Sequence, residues 1–146
     1  MWPFSSKCET NYCQEMRDAL RDYMLQYIKD NPSAGDDVVP IFSDAEVMIR
    51  SLSERKISRM MQRNHVNVEC GALNILQNFA MTRIQAKPAT DFIRSAILQE
   101  DENYAFKLYN DINKLKLEKG YISQKQYDDN ELLGINLSMQ SPLDRM

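Results

Sequence analysis

A long apolar stripe near the N-terminus constrains the fold more than any other feature of this sequence. Between Glu9 and Asp30, apolar residues recur at the i, i+3, i+4, i+7 spacing of one helix face. They are Tyr12, Cys13, Met16, Ala19, Leu20, Tyr23, Met24, Tyr27 and Ile28. Asn31-Pro32 ends the pattern, because the residue before a proline avoids helical dihedral angles. We therefore predict a helix over residues 8–30 that buries this stripe against other helices.

Helical signals continue along the rest of the chain. We predict a loop over residues 33–40. Ser43-x-x-Glu46 and Ser123-x-x-Gln126 are capping boxes, and each predicts the start of a helix. Ser53 and either Asn64 or Asn67 can cap two further helices, and Gly120 suits the left-handed position after a helix over 102–119. Residues 82–93 are open to two interpretations, a small β wing or a helix capped by Thr90, of which we favour the helix.

These elements predict an all-α fold, a compact bundle of about six helices with a possible small β wing. We expect one helical domain over 1–134, comprising the helix at 8–30, a centre at 43–81 and C-terminal helices at 90–133. A flexible tail follows at 135–146. A length of 146 residues fits a single domain. Only four glycines and five prolines disfavour a turn-rich β sandwich.

Composition excludes several classes of protein. No apolar run approaches the roughly 20 residues that a membrane span needs, and the start of the chain does not match a secretion signal. The three cysteines are therefore expected to be reduced thiols in a cytoplasmic protein. We expect no cofactor and no metal.

The charged residues are unevenly distributed. Residues 50–87 contain seven basic and two acidic side chains, a net charge of +5. The segments before and after it carry −5 and −3. A basic centre between acidic flanks is informative about the binding partner, which would carry negative charge. It does not indicate a particular fold.

The basic centre coincides with the spacing of a helix-turn-helix. Ile57, Ser58, Met61, Asn64, Val68 and Ala72 fall at the offsets where two such helices cross. Residues 41–79 resemble winged helix-turn-helix domains, most nearly the γ domain of bacterial DNA translocases. The residues that carry this resemblance are Ile41-Phe42-Ser43-Asp44-Ala45, Met60-Met61-Gln62-Arg63, and Ala72 with Ile75-Leu76-Gln77.

The resemblance implies a role for each polar residue of the centre. The second helix, from about His65 to Phe79, would enter the major groove of duplex DNA. Its outward side chains Asn67, Asn74 and Gln77 would meet base edges, where amides suit adenine. The cations that would neutralise phosphates are Arg55, Lys56, Arg59, Arg63, Arg83 and Lys87. The leading hypothesis is a small DNA-binding regulatory protein without enzymatic activity.

Two other interpretations remain open. A helical adaptor or inhibitor would bind a protein with its basic patch on an acidic surface. That partner, or a second copy of the chain, could use the Tyr/Met-rich first helix or the C-terminal helices. Alternatively, Arg59-x5-His65 resembles the spacing of HEPN-like ribonucleases, which implies that His65 exchanges a proton and Arg59 steadies phosphate charge.

Cys8, Cys13, His65 and Cys70 form a possible tetrahedral zinc set by residue type. Their spacing argues against zinc. Zinc knuckles usually place about two residues between paired ligands, which holds both on one turn, whereas four residues separate each pair here. Cys13 also lies on the apolar stripe of the first helix, where a buried thiol behaves as a small hydrophobic side chain.

Overall fold

A computed structural model describes residues 12–64, 67–86 and 104–139, which are helical almost throughout. The helices are α1 (Tyr12–Asp30), α2 (Gly35–Ser51), α3 (Glu54–Asn64), α4 (Val68–Ala86), α5 (Tyr104–Glu118) and α6 (Gln124–Met139), with a 3-10 turn at Pro32–Ala34. The predicted all-α fold of about six helices is confirmed, and the described residues contain no strand. The possible β wing at 82–93 does not form over residues 82–86, which continue α4, and the favoured helix after Thr90 lies outside the described ranges, as do residues 87–93.

The chain divides into two compact units, residues 1–76 and 77–146, and the division falls within α4. In the first unit, α1 packs mainly against α2 and also contacts α3. The apolar stripe of α1 buries Cys13, Met16, Leu20 and Tyr27, as predicted. Burial of these side chains contributes to the hydrophobic core of the unit.

The helix α2 begins earlier than the sequence predicted. The loop predicted at 33–40 is the 3-10 turn followed by the first residues of α2. The Ser43 capping box was wrong, because Ser43 is an exposed residue inside that helix. Val38, Ile41, Phe42, Ala45 and Ile49 form one buried stripe that continues upstream of Ser43. Their burial holds the helix together despite Pro40, which lacks a backbone donor.

Three other predicted helix ends are confirmed, two by hydrogen bonds and one by a backbone angle. Ser53 Oγ accepts from the backbone N–H of Lys56 at 3.1 Å, at the start of α3. Asn67 Oδ1 accepts from the N–H of Cys70 at 2.8 Å, at the start of α4. Gly120 follows α5 with a φ of 74°. These local signals work because each one satisfies a backbone group that the helix end leaves free.

In the second unit, α5 packs against α6. Asn113 donates to the Tyr127 carbonyl at 3.0 Å and accepts from Asn130 at 3.0 Å. The hydroxyl of Tyr109 donates to the Asn130 carbonyl at 2.8 Å, and burial raises the pKa of this phenol. The helix α6 continues through Gly134 to Met139, past the end that we predicted near Leu133.

Gly134 allows α6 to lie directly on the ring of Tyr109. A Cβ atom at this position would lie 2.8 Å from Tyr109 Cε1, and Tyr109 is buried. We therefore expect Gly134→Ala to lower the free energy of unfolding by about 1–3 kcal/mol, as overpacking does. Gly35→Ala is the matched control, because no atom of the described residues lies within 4 Å of its Cβ position. It should raise stability by about 0.4–1 kcal/mol, since alanine restricts the unfolded chain.

Urea unfolding followed by circular dichroism measures both glycine variants. Equal stability of Gly134→Ala and the wild type would contradict the close packing of α6 on Tyr109.

Candidate nucleic-acid interface

Four of the cations that we predicted to contact phosphate lie on one side of α3. Arg55, Lys56, Arg59 and Arg63 are all exposed. With 3.6 residues per turn, they occupy an arc of about 100° and extend for about 12 Å along the helix axis. We call these four residues the α3 basic face. The sequence pattern therefore predicted a group of cations that the structure brings together.

The opposite side of α3 attaches the helix to the first unit. Ile57 is completely buried and Met61 is 8% exposed. Two buried apolar side chains about one turn apart prevent the helix from rotating about its axis. The α3 basic face consequently points to solvent.

The cations of the α3 basic face have no ion-pair partner among the described residues. Arg55 and Arg59, and Arg59 and Arg63, are like charges at the i, i+4 spacing. Each such pair destabilises a helix by about 0.2–0.5 kcal/mol. Folding does not benefit from this arrangement, which favours a role in binding an anion.

The single acidic residue of α3 is engaged elsewhere. Glu54 accepts hydrogen bonds from the backbone N–H groups of Tyr12 and Cys13, the latter at 3.0 and 3.2 Å. Those donors belong to the first turn of α1, where a carboxylate is favoured by the helix dipole. Glu54 thereby ties α3 to α1 and leaves the neighbouring positive charges unneutralised.

The structure does not support base reading by the predicted second helix. Gln77 was expected to face outward but is buried: its amide donates to the Tyr109 carbonyl at 3.4 Å and accepts from Lys116 Nζ at 2.7 Å. Asn74 is half-buried, with its amide 3.8 Å from Cys70 Sγ. Asn67 is exposed, and its oxygen caps α4. The residues around Gln77 in the sequence do not predict its hydrogen bond with the buried Lys116, which is 39 positions away.

The remaining predicted site residues belong to the second unit, lie outside the described residues or are buried. Arg83 is exposed in the last turn of α4 and belongs to the second unit. Lys87 and His65 lie outside the described residues, so the Arg59–His65 pair stays a prediction. Cys8 lies outside them too, while Cys13 and Cys70 are buried, and the thiol of Cys13 donates to the Ile49 carbonyl at 3.7 Å. Within the described ranges, no three His, Cys, Asp or Glu side chains are grouped to hold a metal ion.

Comparisons with known proteins identified no relative of this chain. No protein-family model, curated protein or solved structure matches the chain. None of the helices in the described ranges is long and apolar enough to cross a membrane. The charges and contacts described above are therefore the basis for assigning a function to the protein.

Proposed function

We propose that this protein binds duplex DNA through the α3 basic face, mainly by contacts with phosphate oxygens. The observation that carries the proposal is the set of four exposed cations on one side of a single helix. They have no ion-pair partner among the described residues, and their one acidic neighbour faces α1. Phosphate neutralisation of this kind supplies most of the affinity in sequence-independent binding.

The spacing and type of the cations favour a phosphate backbone over an acidic protein surface. Arg55, Arg59 and Arg63 follow one another at intervals of about 6 Å along the helix axis. DNA presents a comparably regular row of charges, one per 3.4 Å of axis on each strand. Three of the four cations are arginines, whose planar fork suits the oxygens of a phosphate group.

The proposal assigns no base contact to Gln77 or Asn74, because neither amide is fully exposed. Phosphate contacts fix position and orientation and carry no direct sequence information. We therefore propose weak sequence discrimination, with affinity that depends strongly on salt.

Fluorescence anisotropy of a labelled duplex, titrated with the protein at several salt concentrations, tests this proposal. Four phosphate contacts give a log–log slope of about −3.6, so affinity should fall about 150-fold between 50 and 200 mM salt. Absence of binding at low salt would refute the proposal and favour the adaptor hypothesis. Cleavage of a single-stranded RNA, lost in His65→Ala, would refute it in favour of a ribonuclease.

A further inference from the structure

We propose that the groove between α1 and α2 docks an amphipathic helix of another protein, one that carries an acidic side chain beside its apolar anchors. The proposal is independent of the α3 basic face. It rests on the lining of this groove, which is open and has a volume of about 190 Å³. Its lining residues are Arg17, Leu20, Arg21, Met24, Val39, Phe42, Ser43 and Glu46.

The groove has the dimensions of a helix-binding surface. Each helix contributes four lining residues at the i, i+3, i+4, i+7 spacing, so the groove follows both helices for about 10 Å, or two turns. The short 3-10 connection makes α1 and α2 an antiparallel pair. A third helix laid along such a seam would present anchors one turn apart.

One end of the groove is apolar and accessible. Leu20 and Phe42 are buried and form its floor, with the ring of Phe42 6.0 Å from that of Tyr23. Met24 is half-buried, and Val39 keeps 42% of its surface exposed. An apolar side chain from a partner would remove this surface from water, which contributes about 25 cal/mol per Å².

The other end of the groove has an excess of positive charge. Arg17 Nη2 lies 3.4 Å from Glu46 Oε2, which is the one carboxylate among the described residues that line the groove. Arg21 is exposed and has no ion-pair partner in the described part of the chain. In addition, Arg17 Nε is buried without a hydrogen-bond acceptor there.

The partner's chemistry follows from this charge arrangement. A carboxylate on the partner helix would neutralise the exposed Arg21 in charge-assisted hydrogen bonds, whereas Arg17 already pairs with Glu46. A basic or purely apolar helix would leave Arg21 without a counter-ion, which disfavours it.

Selection from a display library of helical peptides with randomised surfaces tests the proposal without assuming a partner sequence. The full chain is the bait. We expect the recovered peptides to combine apolar anchors one turn apart with Asp or Glu. Their binding should fall at least 10-fold with Arg21→Glu and with Val39→Lys, two substitutions at exposed positions that leave the core intact.

Two matched variants serve as controls. Lys29→Glu reverses an exposed charge on α1 outside the groove, and Val47→Lys changes a valine on α2 that is 60% exposed and does not line it. Both should bind the recovered peptides as the wild type does.

Three results would overturn the proposal. They are failure to recover any peptide, recovery of peptides without acidic residues, and equal sensitivity of binding to Val39→Lys and Val47→Lys. A dimer of the protein that Arg21→Glu dissociates, seen by sedimentation, would assign the groove to a second copy instead.

Discussion

Replacing Arg55, Lys56, Arg59 and Arg63 with glutamine should abolish duplex binding without lowering the stability of the protein. We expect the affinity at 50 mM salt to fall by more than about 100-fold, and the salt slope to approach zero, because each lost phosphate contact removes about 0.9 from it. Arg59→Gln alone should make the slope less negative by about that amount. Anisotropy titrations measure both effects.

The stability of the glutamine variant separates a binding role from a structural one. Glutamine has nearly the helix propensity of arginine and lysine, so α3 loses little intrinsic stability. Removing the like-charge pairs of the α3 basic face gains about 0.2–0.5 kcal/mol for each pair. The free energy of unfolding should therefore stay the same or rise by up to about 1 kcal/mol. Residues that are kept for binding often lower the stability of a protein. A glutamine variant that loses binding but gains stability would therefore identify the α3 basic face as a binding surface.

The matched control replaces four exposed lysines elsewhere with glutamine: Lys29, Lys114, Lys119 and Lys125. It produces the same change in net charge and should keep most of the duplex affinity and the salt slope. Equal loss of binding in both variants would mean that net charge, rather than the α3 basic face, attracts the DNA. A glutamine variant of the face that unfolds would show that its cations have a structural role.

Ile57→Ala should cause the largest loss of stability among the variants considered. Ile57 is completely buried and anchors α3 on the side opposite its basic face. Truncating such a side chain removes its burial and leaves a cavity, at a cost of about 2–5 kcal/mol. Ile57→Val should cost about 0.5–1.5 kcal/mol. Urea unfolding followed by circular dichroism measures both.

Gln62→Ala is the control for Ile57→Ala, because Gln62 is exposed on the same helix. Its effect should stay within about 0.5 kcal/mol. Loss of α3 anchorage should also weaken duplex binding by Ile57→Ala even at temperatures where the rest of the protein is folded. Wild-type stability of Ile57→Ala would contradict the packing of α3 described above.

The periodic and capping patterns of the sequence determined most of the fold. The apolar stripe of α1, the caps at Ser53 and Asn67, and the turn at Gly120 depend on neighbours within a few residues. Their physical causes are local: the 3.6-residue period, the unpaired groups at helix ends and the freedom of glycine at positive φ. For the same reason, the four cations on α3 could be identified before their common face was known.

Only the tertiary structure decided which polar residues are available to a ligand. Gln77 looks like a surface amide in the sequence, yet it is buried with Lys116, 39 positions away. Glu54 is next to Arg55 and Lys56 in the sequence, yet it binds the start of α1. The groove lined by Arg17 and Val39 likewise requires two helices side by side. Burial and pairing depend on contacts between distant segments, so local spacing determines the helices but not the chemistry that remains exposed.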